Sequence, residues 1–235
     1  MSVPIVFLPG YLCDQRMYLA QTFALSQSCI VIQAPLIGDR CEEMASALLS
    51  HLPPRFALVG ASLGGSVALE IMRRAPERVK RLCLISTDVF PDAPQVSADR
   101  EPQLIQARTG RYDDAVRAAL SPGSLAPGPG RADILDTYAE MAAGIGPAGF
   151  HIQTRALQRR KDQQSTLYRA ACPVQIICGK YDTIVTPKRA AFMAELAPLA
   201  SFVCLETAGH LPTLEDPMTV TDILWDWLET APAAA

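Results

Sequence analysis

Six short apolar runs recur along the chain, at residues 4–8, 29–33, 56–59, 79–85, 174–178 and 201–205. Most are continuous, not alternating, and rich in Val, Ile and Leu. That is the pattern of parallel strands buried on both faces. Between them the spacing becomes helical. Asp39 and Glu42 read as a capping pair for a helix running to about residue 51. Thr186 and Pro187 read as N-cap and first residue of a helix to about residue 196. Asp216 and Pro217 repeat that signal before Val220, Ile223, Leu224, Trp227 and Leu228, which share one helical face. Strands alternating with helices predict an α/β fold with a mostly parallel, six-stranded sheet flanked by helices.

One segment breaks the alternation. From about residue 90 to residue 171 no strand pattern appears, and Pro91, Pro94, Pro102, Pro122, Pro127 and Pro129 punctuate the chain. Helical patterns fall at residues 103–108, 113–120, 132–145 and 148–160. The reading is a single domain over residues 1–235, with a helical insertion at about 90–171 after the fourth strand. With 235 residues, 49% of them hydrophobic, one sizeable core is expected.

The third run ends in Gly60-Ala61-Ser62-Leu63-Gly64-Gly65, and a helix-favouring stretch follows. A Gly-x-Ser-x-Gly between strand and helix is the nucleophile-elbow pattern. The turn is so sharp that the serine backbone is strained, and flanking glycines remove side chains that would collide. The glycine spacing also suits a phosphate-binding loop, but that loop needs Lys where this chain has Ser66. An elbow calls for an acid and then a histidine in loops after later strands. Asp182 follows the 174–178 run, and His210 follows the 201–205 run. All three loops leave one edge of a parallel sheet. His210 would take the Ser62 proton, and an acid behind the imidazole would fix its tautomer. Asp88, one strand after Ser62, is the competing acid. Asp182 is favoured because Gly179 lets its loop bend sideways.

Composition narrows the classes. Net charge is -3, only 19% of residues are charged, and Arg159-Arg160-Lys161 is the one basic cluster, so no nucleic-acid partner is expected. The N-terminal stretch has no basic region and too short an apolar run for a signal peptide or membrane span; the expected location is cytoplasmic. The seven Cys form no C-x-x-C pair. Cys29, Cys83, Cys178 and Cys204 sit in apolar runs, where they read as small buried hydrophobes. The three His lie far apart without H-E-x-x-H, so neither a metal nor a cofactor is expected. Cys13 reads as a packing residue and His151 as a helix-surface residue.

Taken together, Leu8-Pro9-Gly10-Tyr11, the Gly60–Gly65 elbow, Gly179-Lys180-Tyr181-Asp182 with Pro187, and Gly209-His210 with Glu215 and Pro217 resemble the α/β-hydrolase superfamily, in its compact esterase-like branch. Only the insertion lacks a family signature. The resemblance implies that the backbone amides of Leu63 and Tyr11 form an oxyanion hole. Pro9 stands where the family usually has His, and the family's first two strands have no counterpart, which leaves six strands. The implied activity is cofactor-free hydrolysis of a small or medium carboxylic ester through an acyl-enzyme. A thioesterase or C–C bond hydrolase with the same triad is the alternative enzyme, and a hydrolase-fold binding or receptor protein the alternative outside enzymes. The insertion is expected to lie over Ser62 as a lid. Leu104, Leu120, Ile134, Leu135, Tyr138 and Met141 are its candidates for an apolar acyl pocket. Oligomeric state is left open.

Overall fold

The continuous apolar runs become the middle of a parallel sheet. The computed structural model describes residues 3–229. Its strands are β1 (Ile5–Leu8), β2 (Val31–Gln33), β3 (Phe56–Ala61), β4 (Val79–Ile85), β5 (Val174–Gly179) and β6 (Ala200–Leu205). They pair in the order β2-β1-β3-β4-β5-β6, and every pairing is parallel. Position in the sheet explains the burial. β1, β3 and β5 are buried at every residue, whereas β2 and β6, at the two edges, are half-exposed over most of their length. Cys83 and Cys178 accordingly lie inside the core, but Cys29 and Cys204, expected there too, are only half-buried, because they belong to the edges. Phe7, Phe56 and Leu58 are fully buried, each contributing about 1.5–3 kcal/mol by leaving water.

The helices are α1 (Leu19–Leu25), α2 (Cys41–Leu49), α3 (Leu63–Arg74), α4 (Pro94–Arg108), α5 (Tyr112–Ala119), α6 (Arg131–Gln158), α7 (Gln164–Tyr168), α8 (Pro187–Leu196), α9 (Pro212–Glu215) and α10 (Pro217–Glu229). Thr186 and Pro187 do open α8, and Asp216 Oδ1 accepts the Thr219 amide at the start of α10. The capping pair expected before α2 is not formed. Arg40 is the N-cap, the Glu43 carboxylate reaches back to the Asp39 amide at 3.3 Å, and Asp39 pairs with Arg159 at 2.5 Å.

Helices α4 to α7 fill the interval between β4 and β5, where no strand pattern occurs. α4, α5 and α6 pack on one another, while α7 returns to α3 and α8. α6 breaks at Gly146 (φ 71°, ψ 174°), just before Pro147. A left-handed φ suits glycine, and proline cannot continue the hydrogen-bond ladder, so the two helical patterns at 132–145 and 148–160 meet at this kink. No helix among the described residues is long and apolar enough to cross a membrane.

Candidate active site

The sheet delivers Ser62 at the C-terminal end of β3, directly before α3. Its backbone lies at φ 48°, ψ -114°, a conformation that costs a non-glycine residue about 1–3 kcal/mol. Neighbours hold it there. The Ser62 amide donates to Ile85 O at 2.9 Å, continuing the β3–β4 ladder, and Thr87 Oγ1 donates to Ser62 O at 2.8 Å. The glycines are needed for contact. A Cβ on Gly60 would meet Gly64 O at 2.5 Å, and one on Gly64 would strike the carbonyl of Leu8 on the neighbouring strand.

Two loops from β5 and β6 meet this turn. His210 Nε2 lies 3.3 Å from Ser62 Oγ, and His210 Nδ1 lies 2.9 Å from Asp182 Oδ2. Asp182 is 2% exposed, and its other oxygen, Oδ1, accepts the amides of Ile184 and Val185, each at 2.9 Å. An ionised carboxylate only accepts, so Nδ1 carries the proton and Nε2 offers its lone pair to the serine hydroxyl. Asp88 takes no part in this array. Its carboxylate pairs with Arg189 at 2.5 Å and accepts the Phe90 amide at 3.1 Å, bracing the entry to the insertion.

The His210 loop is fastened by a residue that sequence spacing alone does not single out for this task. Glu215 Oε2 accepts the amides of Gly209 at 2.8 Å and Ala126 at 2.7 Å, while Oε1 accepts that of Leu211 at 2.8 Å. The His210 amide donates to Ser124 O at 2.7 Å. Three consecutive amides around the imidazole are therefore satisfied, two of them by one carboxylate, and the same carboxylate ties in the insertion.

Among the described residues, neither the Tyr11 nor the Leu63 amide has a protein acceptor. Leu63 opens α3, where unsatisfied amides and the helix dipole favour negative charge. Tyr11 lies in the loop after β1. Its hydroxyl is bonded to Thr154 Oγ1 at 2.6 Å, and the next residue, Leu12, is held at φ 57° with its amide on Gln153 Oε1 at 2.8 Å.

Ser62 and His210 open into a cavity of about 400 Å³, whose lining includes Tyr11, Cys13 and residues of α4 to α6. The insertion thus lies over Ser62. The cavity lining is largely apolar, with Val96, Leu120, Leu157 and Ile184 among it, but charged and polar groups that were not expected join them. Of the six candidates, Leu120 and Tyr138 line the cavity, whereas Leu104 and Met141 are buried in the core and Ile134 and Leu135 pack half-buried against it. Beside the apolar residues, Asp92, Arg100, Gln103 and Arg160 face the site. Cys13 lines the cavity too, 3% exposed. Its burial first, and Asp14 second, push the thiol well above the ordinary range. The His151 ring nitrogens lie 3.0 and 3.1 Å from Arg108 Nη2, and the residue does not line the cavity. Among the described residues no three His, Cys, Asp or Glu side chains cluster as metal ligands.

Comparison with known proteins agrees with this architecture. A model of the alpha/beta hydrolase family matches residues 5–223. The chain belongs to that family. Among its curated relatives in the alpha/beta hydrolases, a pimeloyl-(acyl-carrier protein) methyl ester esterase of Nitrosomonas europaea is 28% identical over 233 residues, spanning 91% of this chain and 90% of that protein. The protein of the same name from Aromatoleum aromaticum is 30% identical over 195 residues, spanning 78% of each. A thermophilic esterase from Thermogutta terrifontis, solved with malate bound, superposes with a TM-score of 0.88 at 25% identity, over 97% of this chain and 90% of that one. The enol-lactonase of Burkholderia xenovorans LB400 shares the fold, with a TM-score of 0.85 at 22% identity, over 98% and 93%.

Proposed function

We propose that this alpha/beta hydrolase is a serine esterase that cleaves a small or medium carboxylic ester through an acyl-enzyme, with Ser62 as nucleophile, His210 as base and Asp182 as the acid behind it. The observation that carries this reading is the continuous Ser62–His210–Asp182 hydrogen-bonded array, at 3.3 and 2.9 Å, opening into the cavity. Relatives named as methyl ester esterases supply the reaction class.

The steps follow from the groups. His210 Nε2 takes the Ser62 proton as Oγ attacks the ester carbonyl carbon. Asp182 stabilises the imidazolium that forms. The carbonyl oxygen, now an anion, is held by the open amides of Leu63 and Tyr11, a contribution that grows as charge develops. The C–O bond then breaks, and His210 returns its proton to the departing alcohol. Water repeats the sequence on the acyl-enzyme and frees the acid. From 3.3 Å this bond has room to tighten when substrate binds. Residues of about 90–171 act as a cap on one hydrolase domain spanning residues 1–235. No cofactor enters any step.

Purified protein tested on matched ester and thioester series of increasing acyl length checks this reading. Ester turnover with a pre-steady-state burst of alcohol is expected. Turnover of thioesters alone would make the protein a thioesterase, and turnover of neither would remove the hydrolase reading.

A further inference from the structure

The cavity roof carries more positive charge than it has acceptors. The Asp92 side chain is 2% exposed and is held by Arg100 Nε at 2.9 Å and Arg160 Nη2 at 2.8 Å. Both arginine side chains are themselves largely buried, at 17% and 13% exposure. Guanidinium is always protonated, so two cations facing one carboxylate leave a net charge of about +1. Among the described residues no other carboxylate pairs with either guanidinium. Asp99 lies at the exposed mouth, bonded to Gln95 and screened by water. Arg189 is already matched by Asp88. Behind Arg160, Glu42 pairs with Lys161, and Glu70 is shared by Arg73 and Arg74. An uncompensated charge in a partly dry cavity is costly unless an anion arrives to pair with it.

Open hydrogen-bonding groups accompany the charge. Arg100 commits only Nε to Asp92; among the described residues its two Nη groups have no protein acceptor. Its guanidinium sits 5.9 Å from the centre of the Tyr11 ring, on the loop whose amide is assigned to the oxyanion. Ser86, 2% exposed and held at φ 46°, lines the same cavity with its hydroxyl unpartnered, as does the Gln103 carbonyl oxygen. A free guanidinium edge with a hydroxyl donor in the same cavity is suited to a planar, bidentate anion.

We propose that this part of the cavity binds an ionised carboxylate at the far end of the acyl chain, so that the preferred substrates are half-esters of dicarboxylic acids, with Arg100 as the fork and Ser86 as a further donor. The substrate class rests on the esterase reading, but the binding site does not. Binding is therefore tested apart from turnover. Ser62→Ala protein is titrated by calorimetry with monomethyl adipate and with dimethyl adipate, which has the same length without the charge. The half-ester is expected to bind at least about tenfold tighter, the scale of one charge-assisted contact. Adding Arg100→Met should reduce that preference to about twofold or less, and adding Arg100→Lys, which keeps the charge and the partner for Asp92 but loses the fork, should leave an intermediate value. Equal binding of the two esters, binding of neither, or a preference untouched by both Arg100 substitutions overturns the proposal. Turnover by the unmutated enzyme then separates the two claims. A half-ester that binds selectively yet is never hydrolysed sinks the esterase reading alone. Hydrolysis without any preference for the charged ester sinks this inference alone.

Discussion

Replacing Glu215 tests whether the His210 loop is held in place from behind. Its carboxylate accepts three amides, of Gly209, Leu211 and Ala126, at 2.7 to 2.8 Å. Hydrogen bonds to a charged acceptor are worth about 1.5–3 kcal/mol each but do not add fully within one cluster. Glu215→Gln keeps the shape. Its amide oxygen still accepts from Ala126 and Gly209, but its NH₂ then faces the Leu211 N–H, leaving one buried donor unpaired. That costs about 2 kcal/mol, or roughly 4–8 °C in Tm for a chain of this size. Glu215→Ala orphans all three amides and should cost about 3–5 kcal/mol. Because the same amides flank His210, the imidazole drifts from Ser62 Oγ, and kcat for p-nitrophenyl acetate should fall by about 10- to 100-fold in the Gln variant, with KM little changed. Both quantities are measured well below Tm, by steady-state kinetics and scanning calorimetry, so that unfolding cannot mimic misplacement. A Glu215→Ala protein with kcat within about twofold of the parent and an unaltered Tm would refute the reasoning.

The other predictions concern acids with different duties. Asp182→Asn should lower kcat by on the order of 10⁴-fold while the fold persists, because the amide holds the wrong tautomer of His210. Asp88→Asn should cost far less activity and act mainly on Tm, through its lost pair with Arg189; the reverse order of kcat in the two variants would show that the acid is misassigned. Glu70 gives a pH dependence. Burial alone would raise its pKa, but hydrogen bonds from Arg73, Arg74 and Gln163 outweigh that and bring it from 4.5 down to about 2. A depressed carboxylate pKa stabilises the fold above about pH 4.5, and that stability fades as pH falls toward 2. Glu70→Gln should therefore lose on the order of 2–3 kcal/mol in urea unfolding at pH 7, with the deficit narrowing steadily below pH 4.5; a deficit independent of pH would contradict the assignment.

The sheet was readable because its central strands are buried on both faces, so β1, β3 and β5 stand out as mostly apolar runs, with Gln175 the one polar side chain among them. The kink in α6 was readable for an equally local reason, the adjacent Gly146 and Pro147. Loop order pointed to Ser62, Asp182 and His210, and His210 lies within hydrogen-bonding distance of both of the others. The choice between Asp182 and Asp88 turned on partners no spacing reveals. Arg189, on the far side of the next crossover, neutralises Asp88. Cavity chemistry was the least visible part. Which face of an insertion helix turns inward depends on three helices packing together, and α4 has no clean apolar stripe. Leu104 therefore went to the core while Arg100 and Gln103, on the same helix, line the cavity. Glu215 could be noted as part of a family motif, but the amides it accepts come from two loops that meet only in the folded chain.

The central claim is that Ser62 is an activated nucleophile at the floor of the cavity. The most direct measurement treats the purified protein with a fluorophosphonate and locates the adduct by peptide mass spectrometry, alongside turnover of the Ser62→Ala variant. The account predicts a single adduct, on Ser62, prevented by that substitution, with kcat lowered by on the order of 10⁶-fold. An unlabelled protein, an adduct on another residue, or a Ser62→Ala enzyme turning over at the parental rate would contradict it.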